Sequence, residues 1–435
     1  MSQSITKNSL LTFGTRLLMF AVQGLNGLLL ARFLGPAGRG QYALIILAPS
    51  VAAVFFNFGI STANAYFVSS GRFSVQKILG YSLVLAPVLG GVAVLILNLF
   101  APLYWKWYPE VPHPLFRLAT AAVFFMLAFN FFITVFQGEN DFRRFNGMNL
   151  LNPLAFLIFF LGFAFFLHLK LTAAVLAFLL GFAASSFVGL VGLLKAVKPS
   201  FRVQVGELKE LFSFSGHAAV AEIVTFLNYR FDMFLVGYFL GAKAVGLYAV
   251  AVLVAETLWY LSSSVGNVLL PYFGQMAPED RFPLLQRVLR HIFWISVLLI
   301  VILFSVDRVL IGLLFGQAFL PAVSALRGLY VGVLALSLAK IISSYLLAVG
   351  KPNVTKNVAL AGFGLNVVLN LWWIPRLGIL GAALASSAAY GLMAILDFSY
   401  LRKQRAFSWT AVLLPRREDG YFYLNLLGLK KGKST

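Results

Sequence analysis

The sequence contains no cysteine, which excludes disulfide bonds, thiolate metal ligands and thiol nucleophiles. Acidic residues are also scarce, with 14 Asp and Glu against 34 Lys and Arg, and the 4 histidines show no metal-ligand spacing. A glycine-rich nucleotide-binding loop and a serine–histidine–aspartate arrangement are both missing from the sequence. These absences argue against an enzyme, and we predict no metal, no cofactor and no nucleic-acid partner.

Apolar residues, in contrast, are in excess: 60% of the chain is hydrophobic, only 11% is charged, and the mean hydropathy is +0.89. A soluble domain does not need so much apolar surface, so the composition predicts a polytopic, all-α membrane protein. A helix needs about 20 largely apolar residues to span a bilayer. About twelve segments meet that length: 10–34, 41–68, 78–103, 115–137, 147–168, 171–194, 215–240, 246–272, 291–315, 321–349, 357–375 and 378–401.

A short turn between two apolar segments occurs twice, as residues 33–43 and as residues 239–249. At a constant offset of 206 residues, Phe33, Leu34, Gly35, Gly40, Tyr42 and Ala43 recur as Phe239, Leu240, Gly241, Gly246, Tyr248 and Ala249. A self-match at a large fixed offset is typical of a duplicated architecture. We therefore predict two six-helix lobes, residues 1–200 and 201–405, followed by a basic cytoplasmic tail, residues 406–435.

Basic residues outside the apolar segments predict the orientation of the chain. With the N-terminus in the cytoplasm, the cytoplasmic segments hold more than twice as many Lys and Arg as the opposite segments. Cytoplasmic loops of membrane proteins carry such an excess. We therefore expect both termini to lie in the cytoplasm.

Polar residues inside the apolar segments are the candidate functional residues, because they are costly in a membrane and usually face a polar interior. They are Arg16, Gln23 and Asn26 in the first helix, Asn57 and Asn64 in the second, Glu222, Arg230 and Asp232 in the seventh, Glu256 and Asn267 in the eighth, and Lys340 in the tenth. Structural roles are the alternative. Asn side chains commonly bond one helix to another, Arg16 could snorkel to the surface, and Arg230 could pair with a neighbouring acid. Asp397 is expected at the membrane boundary.

Several short motifs resemble those of polysaccharide-biosynthesis flippases. These flippases transport O-antigen and other lipid-linked oligosaccharides, and they belong to the multidrug/oligosaccharidyl-lipid/polysaccharide exporter superfamily. The motifs are the turn at residues 34–42, Phe136-Gln137-Gly138 followed by Phe142-Arg143-Arg144, Ala348-Val349-Gly350-Lys351, Asn370, and the run 378–383. The resemblance implies two lobes related by a pseudo-two-fold axis and a central cleft lined by the first and seventh helices. It also implies export of polyprenyl-pyrophosphate-linked oligosaccharides across the bacterial inner membrane by alternating access.

The physical chemistry of such a substrate suggests roles for the embedded residues. A pyrophosphate is anionic, and an unpaired charge in a low-dielectric region costs several kcal/mol or more. Arg16, Arg230 and Lys340 are the cations that we expect to bind it, because cations in a polar cleft lower that barrier. Arg32 and Arg39 are expected near the exit. The other polar residues are expected to line the cavity: Gln23, Asn26, Asn57, Asn64, Asp232, Glu256 and Asn267. Asp232 and Glu256 are also possible sites for a coupling ion or proton.

The repeat offset also predicts a gate. Glu222 and Arg16 are separated by the same 206 residues, so they occupy equivalent places in the two lobes with opposite charges. We hypothesise that they pair across the cytoplasmic mouth of the cleft when that mouth is closed. The alternative is that Arg16 snorkels to lipid headgroups while Glu222 caps the start of its own helix.

Two other functions stay open at the level of the sequence. An antiporter of organic cations, similar to the multidrug and toxic-compound extrusion branch, would use the acids Glu222, Asp232 and Glu256. A membrane enzyme or scaffold without transport activity has little support in the residues. For the flippase, the expected partners are the lipid-linked oligosaccharide, membrane lipids and other polysaccharide-assembly proteins.

Overall fold

The computed structural model describes residues 2–202, 204–404 and 409–414, and most of them are helical. Its helices, with one 3-10 turn at Gln317–Phe319, are α1 (Ser2–Asn57), α2 (Ile60–Ser69), α3 (Val75–Leu99), α4 (Ala101–Trp107), α5 (His113–Thr120), α6 (Ala122–Gly138), α7 (Phe142–Phe166), α8 (Leu171–Ala196), α9 (Val205–Gln275), α10 (Pro278–Leu314), α11 (Ala322–Ala348), α12 (Pro352–Leu377), α13 (Ile379–Gln404) and α14 (Trp409–Leu413). The described residues contain no strand, which confirms the all-α class for them. Apart from residues 409–414, the predicted tail lies outside the described residues.

Helices α1 and α9 are each interrupted by one glycine of the repeated turn. Gly35 has φ 66° and Gly241 has φ 79°, a backbone conformation that is open to glycine and strained for other residues. The glycines divide α1 into α1a (residues 2–34) and α1b (36–57), and they divide α9 into α9a (205–240) and α9b (242–275). The sequence repeat therefore corresponds to a repeated break in the backbone.

The number of membrane-spanning segments agrees with the prediction. Within the described residues, 10 helices are long and apolar enough to cross a membrane. Two of them are interrupted by the helix breaks at Gly35 and Gly241 and therefore consist of two arms each: Gly14–Asn57 and Glu222–Gln275. Counted by arms, these segments give the twelve predicted spans. The chain is a multi-pass membrane protein with the predicted fold.

The two repeated turns pack against each other through reciprocal contacts. A Cβ atom added to Gly40 would lie 1.6 Å from the carbonyl oxygen of Ala242, and one added to Gly246 would lie 1.9 Å from that of Pro36. The two contacts are equivalent under the repeat offset of 206 residues, because Gly40 corresponds to Gly246 and Pro36 corresponds to Ala242. Such reciprocity is the geometry of a pseudo-two-fold axis between the turns.

The buried cores show on which side the two halves are joined. We call the side with Gly35 and Gly241 the turn side, and the opposite side, where residues 197–204 connect the halves, the linker side. A single core on the turn side contains Leu44 from the first half and Tyr248 from the second. On the linker side each half has its own core, around Phe67 and Phe398 respectively. The halves are therefore closed against each other on the turn side.

Polar contacts strengthen this closure on the turn side. The backbone N–H of Ala242 donates to Oε2 of Glu110 at 3.3 Å, so a carboxylate of the first half lies at the start of α9b. The hydroxyl of Tyr108 donates to the carbonyl oxygen of Phe234 at 3.0 Å. Because an anion at a helix N-terminus is favourable, Glu110 stabilises the contact between the halves as well as the start of the helix.

The first part of α9a packs against the first half of the chain, although it follows the predicted lobe boundary. Lys77 pairs with Glu207 at 2.6 Å, and Arg72 pairs with Glu210 at 2.8 Å. Leu211 is fully buried in the core of the first half, and the ring of Phe214 stacks on Tyr66 with centroids 4.5 Å apart. The chain just after the predicted lobe boundary is therefore helical from residue 205 onwards and is attached to the first half.

Candidate substrate site

A cavity of about 350 Å³ lies between the two halves and carries charge from both. We call it the interlobe cavity. Helix α1b contributes Arg39 and Ser50 to its lining, α9a contributes Arg230, and α9b contributes Glu256. A second cavity, of about 340 Å³, adjoins it on the side of the first half and is lined by Gln23 and Asn26. Arg39 lines both cavities, which therefore share one cationic side chain.

Arg230 and Glu256 form an ion pair in the interlobe cavity. Nη1 of Arg230 lies 3.4 Å from Oε1 of Glu256, and the two side chains are 34% and 19% exposed. The sequence-based alternative that Arg230 pairs with a neighbouring acid therefore describes part of its role. The contact is monodentate and leaves other guanidinium donors available to a ligand, since arginine has five N–H groups.

Arg39 was expected near the exit of the cleft, and not among the main phosphate-binding cations. In the structure it lines the interlobe cavity together with Arg230, and it also lines the adjoining cavity. Its Nε atom is buried without a hydrogen-bond partner, and no carboxylate pairs with it among the described residues. The guanidinium lies 5.6 Å from the ring centroid of Tyr42. With two arginines and one glutamate, the interlobe cavity has a surplus of positive charge.

Lys340 lies apart from this pair of arginines, in a cavity of about 300 Å³ within the second half, which we call the second-lobe cavity. Its Nζ donates to the hydroxyl of Tyr229 at 3.0 Å and lies 4.2 Å from the ring centroid of Trp259. Asn267 lines the same cavity. The structure therefore does not bring Lys340 and Arg230 into one cavity.

Arg16 and Glu222 are not paired in this conformation. The carboxylate of Glu222 accepts hydrogen bonds from Nδ2 of Asn57 at 2.8 Å and from Oγ1 of Thr62 at 2.7 Å. Arg16 is exposed, and no ion pair joins it to Glu222 among the described residues. A gate that pairs in only one conformational state stays a prediction.

Asp232 is the centre of a buried polar network in the second half. It accepts hydrogen bonds from the hydroxyl of Tyr248 at 2.5 Å and from that of Ser386 at 3.2 Å. Asn366 donates to Ser386 at 3.2 Å, and Asn370 donates to Asn366 at 2.9 Å. Asp232 is 4% exposed, so these donors, and not solvent, satisfy its carboxyl group.

Other predicted cavity residues connect helices to one another. Nδ2 of Asn26 donates to the carbonyl oxygen of Pro153 at 2.9 Å, and Nδ2 of Asn64 donates to Ser82 at 3.2 Å. Asn64 is 1% exposed and lines none of the cavities described above. For Asn64 the geometry is that of ordinary packing between membrane helices.

Asp397 is covered by protein near the end of α13. It is 3% exposed and lines the second-lobe cavity. Its Oδ1 atom is buried and has no hydrogen-bond partner among the described residues. The final turns of α13 pack inside the second half, where Phe398 and Leu401 belong to the core, and a position of Asp397 at the membrane boundary stays a prediction.

Comparisons with known proteins place this geometry in a family. A family model described as "Polysaccharide biosynthesis protein" matches residues 29–324. A Haloferax volcanii protein named "Probable low-salt glycan biosynthesis flippase Agl15" is 27% identical over 209 residues, which cover 47% of this chain and 43% of that protein. The chain spans less than half the length of the curated relatives it matches.

Solved structures share the fold over nearly the whole chain. The lipid II flippase MurJ in an inward closed conformation aligns with a TM-score of 0.79 and 15% identity, over 99% of this chain and 94% of the MurJ chain. A point mutant of the Vibrio cholerae MATE transporter VcmN aligns with a TM-score of 0.68 and 14% identity, over 94% and 99% of the two chains. At these identities the likeness shows the fold alone.

The broken helices and the paired halves thus define a membrane protein with the fold that MurJ and MATE transporters share. Within that class, the match over residues 29–324 shows that the chain belongs to the polysaccharide biosynthesis protein family. The family resemblance predicted from the sequence motifs is confirmed.

Proposed function

We propose that the protein is a flippase that moves a polyprenyl-pyrophosphate-linked oligosaccharide across the bacterial inner membrane. The observation that carries the proposal is the positive surplus in the interlobe cavity, where Arg39 and Arg230 face a single acid, Glu256. Guanidinium groups bind phosphate oxygens through paired N–H donors, which suits an anionic pyrophosphate. The relative Agl15 is named as a probable flippase of glycan biosynthesis, which supports the same substrate class.

The mechanism that we propose is alternating access between two lobes, residues 1–200 and 201–405. The halves are joined by one core on the turn side and have separate cores on the linker side. A substrate would enter from the linker side, and release would require the turn-side contacts to open. The excess of basic residues supports a cytoplasmic location for the linker side and for both termini. The lipid tail would stay in the bilayer, between the lobes.

The remaining candidates have proposed roles along this path. Arg16 is exposed near the linker side and would be an early contact for the pyrophosphate, while Lys340 would act deeper in the second half. Gln23 and Asn26, in the cavity next to Arg39, offer amides to the head group. Asp232 or Glu256 would hold the coupling ion or proton. Membrane lipids and other polysaccharide-assembly proteins are the further partners that we propose.

The test is surface display of polysaccharide by cells that carry the chain as their only flippase. Arg39→Ala and Arg230→Ala should each reduce display by at least tenfold, because a hydrogen bond to a charged group contributes about 1.5–3 kcal/mol. Arg376→Ala is the matched control, since the side chain of Arg376 is exposed and bonds its own helix at the carbonyl oxygen of Trp372. Membrane abundance must be equal in all variants.

Two results would overturn the proposal. Normal display in both cavity variants would remove the arginines from the mechanism. Resistance to organic cations that depends on Glu256 would establish the antiporter instead.

A further inference from the structure

Four residues that line the second-lobe cavity each carry a buried polar atom without a hydrogen-bond partner among the described residues. These atoms are Oδ1 of Asn228, Oγ of Ser263, Oγ1 of Thr355 and Oδ1 of Asp397. Asn228 and Asp397 are each only 3% exposed. Buried polar groups are normally hydrogen-bonded, and leaving one unsatisfied costs about 1–3 kcal/mol. So many in one cavity, contributed by α9a, α9b, α12 and α13, indicate a site built for a polar ligand.

The charges in this cavity favour an uncharged ligand. Lys340 and Asp397 both line it, and neither forms an ion pair with any described residue. A metal cation would meet the ammonium group of Lys340, and a pyrophosphate would find that single cationic side chain in the described lining. A neutral ligand rich in hydroxyl groups can donate to Asp397 and Asn228 and accept from Lys340 at the same time.

The dimensions of the cavity agree with a ligand of that kind. Its volume is about 300 Å³, near the lower end of small-molecule pockets, which hold roughly 300–1,000 Å³. The ring of Tyr229 forms part of the wall and is held in place by its hydrogen bond from Lys340. An apolar ring face beside several polar groups suits the two faces and the hydroxyl edge of a sugar ring.

The position of the cavity relates it to the pyrophosphate site. Tyr229 lines the second-lobe cavity, and the next residue, Arg230, lines the interlobe cavity. Successive residues of a helix point in directions about 100° apart, so one turn of α9a has one face in each cavity. A substrate whose pyrophosphate is bonded directly to sugar could therefore place its two parts on adjacent faces of this helix.

We propose that the second-lobe cavity binds the sugars nearest the pyrophosphate, with Asn228, Thr355 and Asp397 as hydrogen-bonding partners. This assignment rests on the proposed flippase function and gives Lys340 a role in binding sugar hydroxyls. The substrate is thereby recognised in two places: the arginines of the interlobe cavity bind its charge, and the second-lobe cavity selects for sugar.

The test compares two lipid probes that differ only in sugar. Purified protein is titrated with undecaprenyl pyrophosphate and with the same lipid carrying one N-acetylglucosamine or galactose, and binding is measured by native mass spectrometry. Thr355→Val and Asp397→Asn should weaken binding of a sugar-bearing probe by roughly 3- to 10-fold, the effect of one hydrogen bond, and leave the sugar-free probe unchanged. Arg39→Ala should weaken both probes.

Ser305→Ala is the control, because Ser305 is an exposed hydroxyl that bonds within its own helix. Thr355→Val keeps the shape of the side chain and removes a buried hydroxyl without a partner, so its thermal unfolding should occur at or above the wild-type temperature. If the cavity variants weaken both probes equally, or weaken neither, the sugar site is overturned while the flippase stands. If Arg39→Ala changes binding of neither probe, the proposed function itself fails.

Discussion

The two halves of the chain are alike in backbone and unlike in charge. The glycine breaks at Gly35 and Gly241 are equivalent, and so are the tyrosines Tyr42 and Tyr248 of the repeated turn. The positions equivalent to Gly24, Asn26 and Ser50 in the first half are, in contrast, Arg230, Asp232 and Glu256 in the second. The duplicated features belong to the contact between the halves, whereas the features that differ line a cavity or form a buried network.

The duplicated and the unduplicated positions are therefore expected to have different roles. In the proposed mechanism two equivalent halves rock about a common axis, and their turns make the same contacts in both directions. Recognition of an anionic lipid and use of an ion need particular charges, and one set is sufficient. We therefore expect changes at duplicated positions to affect opening and closing, and changes at unduplicated positions to affect substrate or ion dependence.

The largest effect is expected at the duplicated glycines. Gly40→Ala places a methyl group 1.6 Å from the carbonyl oxygen of Ala242 and 2.8 Å from the backbone nitrogen of Gly246, so the backbone must move. Overpacking of this kind typically costs about 1–3 kcal/mol, and we expect the free energy of unfolding to fall by at least that much. Transport should be lost, because the turn side can no longer close.

The control for this prediction is Gly91→Ala in α3, where an added Cβ meets no atom within 4 Å. That variant should unfold at the wild-type temperature or slightly above, since alanine favours helix more than glycine does. Equal transport by the two alanine variants would show that the contact between the turns is not needed for closure.

The next prediction concerns Asp232, one of the positions at which the two halves carry different residues. Asp232→Asn gives the second half the residue that the first half has in Asn26. The amide can still accept from Tyr248, so we expect the free energy of unfolding to change by no more than about 1–2 kcal/mol. Transport into vesicles should become independent of the imposed ion or proton gradient, while binding of undecaprenyl pyrophosphate stays at the wild-type level.

Asn26→Asp is the reciprocal change and serves as the control, because it alters charge at the equivalent place in the first half. A gradient dependence that survives in Asp232→Asn would remove Asp232 from coupling and leave Glu256 as the candidate.

Only part of this architecture could be predicted from the sequence. Spans and the repeated turn could be predicted, because both depend on local hydropathy and on glycine conformation. Which polar side chains share a cavity depends on how helices rotate against each other, and the sequence does not contain that information directly. Lys340 and Arg230 therefore lie in different cavities, although both read as embedded cations.

Arg39 was placed near the exit for a related reason. Six residues of its turn are duplicated, so the turn reads as a connection between helices, and the equivalent residue Val245 is apolar and fully buried. That mismatch, a charge in one copy opposite a buried valine in the other, was an available signal for a role in the cavity. The burial of Asp397 could not be predicted either, because distance along a helix does not show whether the helix end is covered by the rest of the second half.

The gate has a smaller expected effect. If Arg16 and Glu222 pair only when the linker side is closed, the pair stabilises that state by roughly 1–3 kcal/mol, which shifts a two-state population by about fivefold or more. Arg16→Gln and Glu222→Gln should each slow transport, and exchanging the two residues should recover part of it. Cysteines at both positions should cross-link in one conformational state only.

Interpretation of this cycle requires a control for the contacts that Glu222 already makes. Thr62→Val removes one of its hydrogen bonds without changing its charge, and it should leave the coupling between Arg16 and Glu222 intact. Strictly additive defects, together with no cross-link in any state, would end the gate hypothesis.

The smallest effect is expected where α9a is attached to the first half outside the membrane. Hydrogen bonds from Lys77 and then from Tyr81 lower the pKa of Glu207 below its usual 4.5, so the folded state binds this proton less readily than the unfolded chain does. The stabilisation is therefore present above about pH 4.5 and is lost as the pH falls through the lowered pKa. Because the ion pair is partly exposed, it contributes about 1 kcal/mol or less.

The unfolding temperature of Glu207→Gln should accordingly lie slightly below that of the wild type at pH 7, and the two temperatures should converge in acid. A gap that widens as the pH falls would mean that Glu207 stabilises the protein in its protonated form, and that α9a is held to the first half by apolar contacts such as that of Leu211.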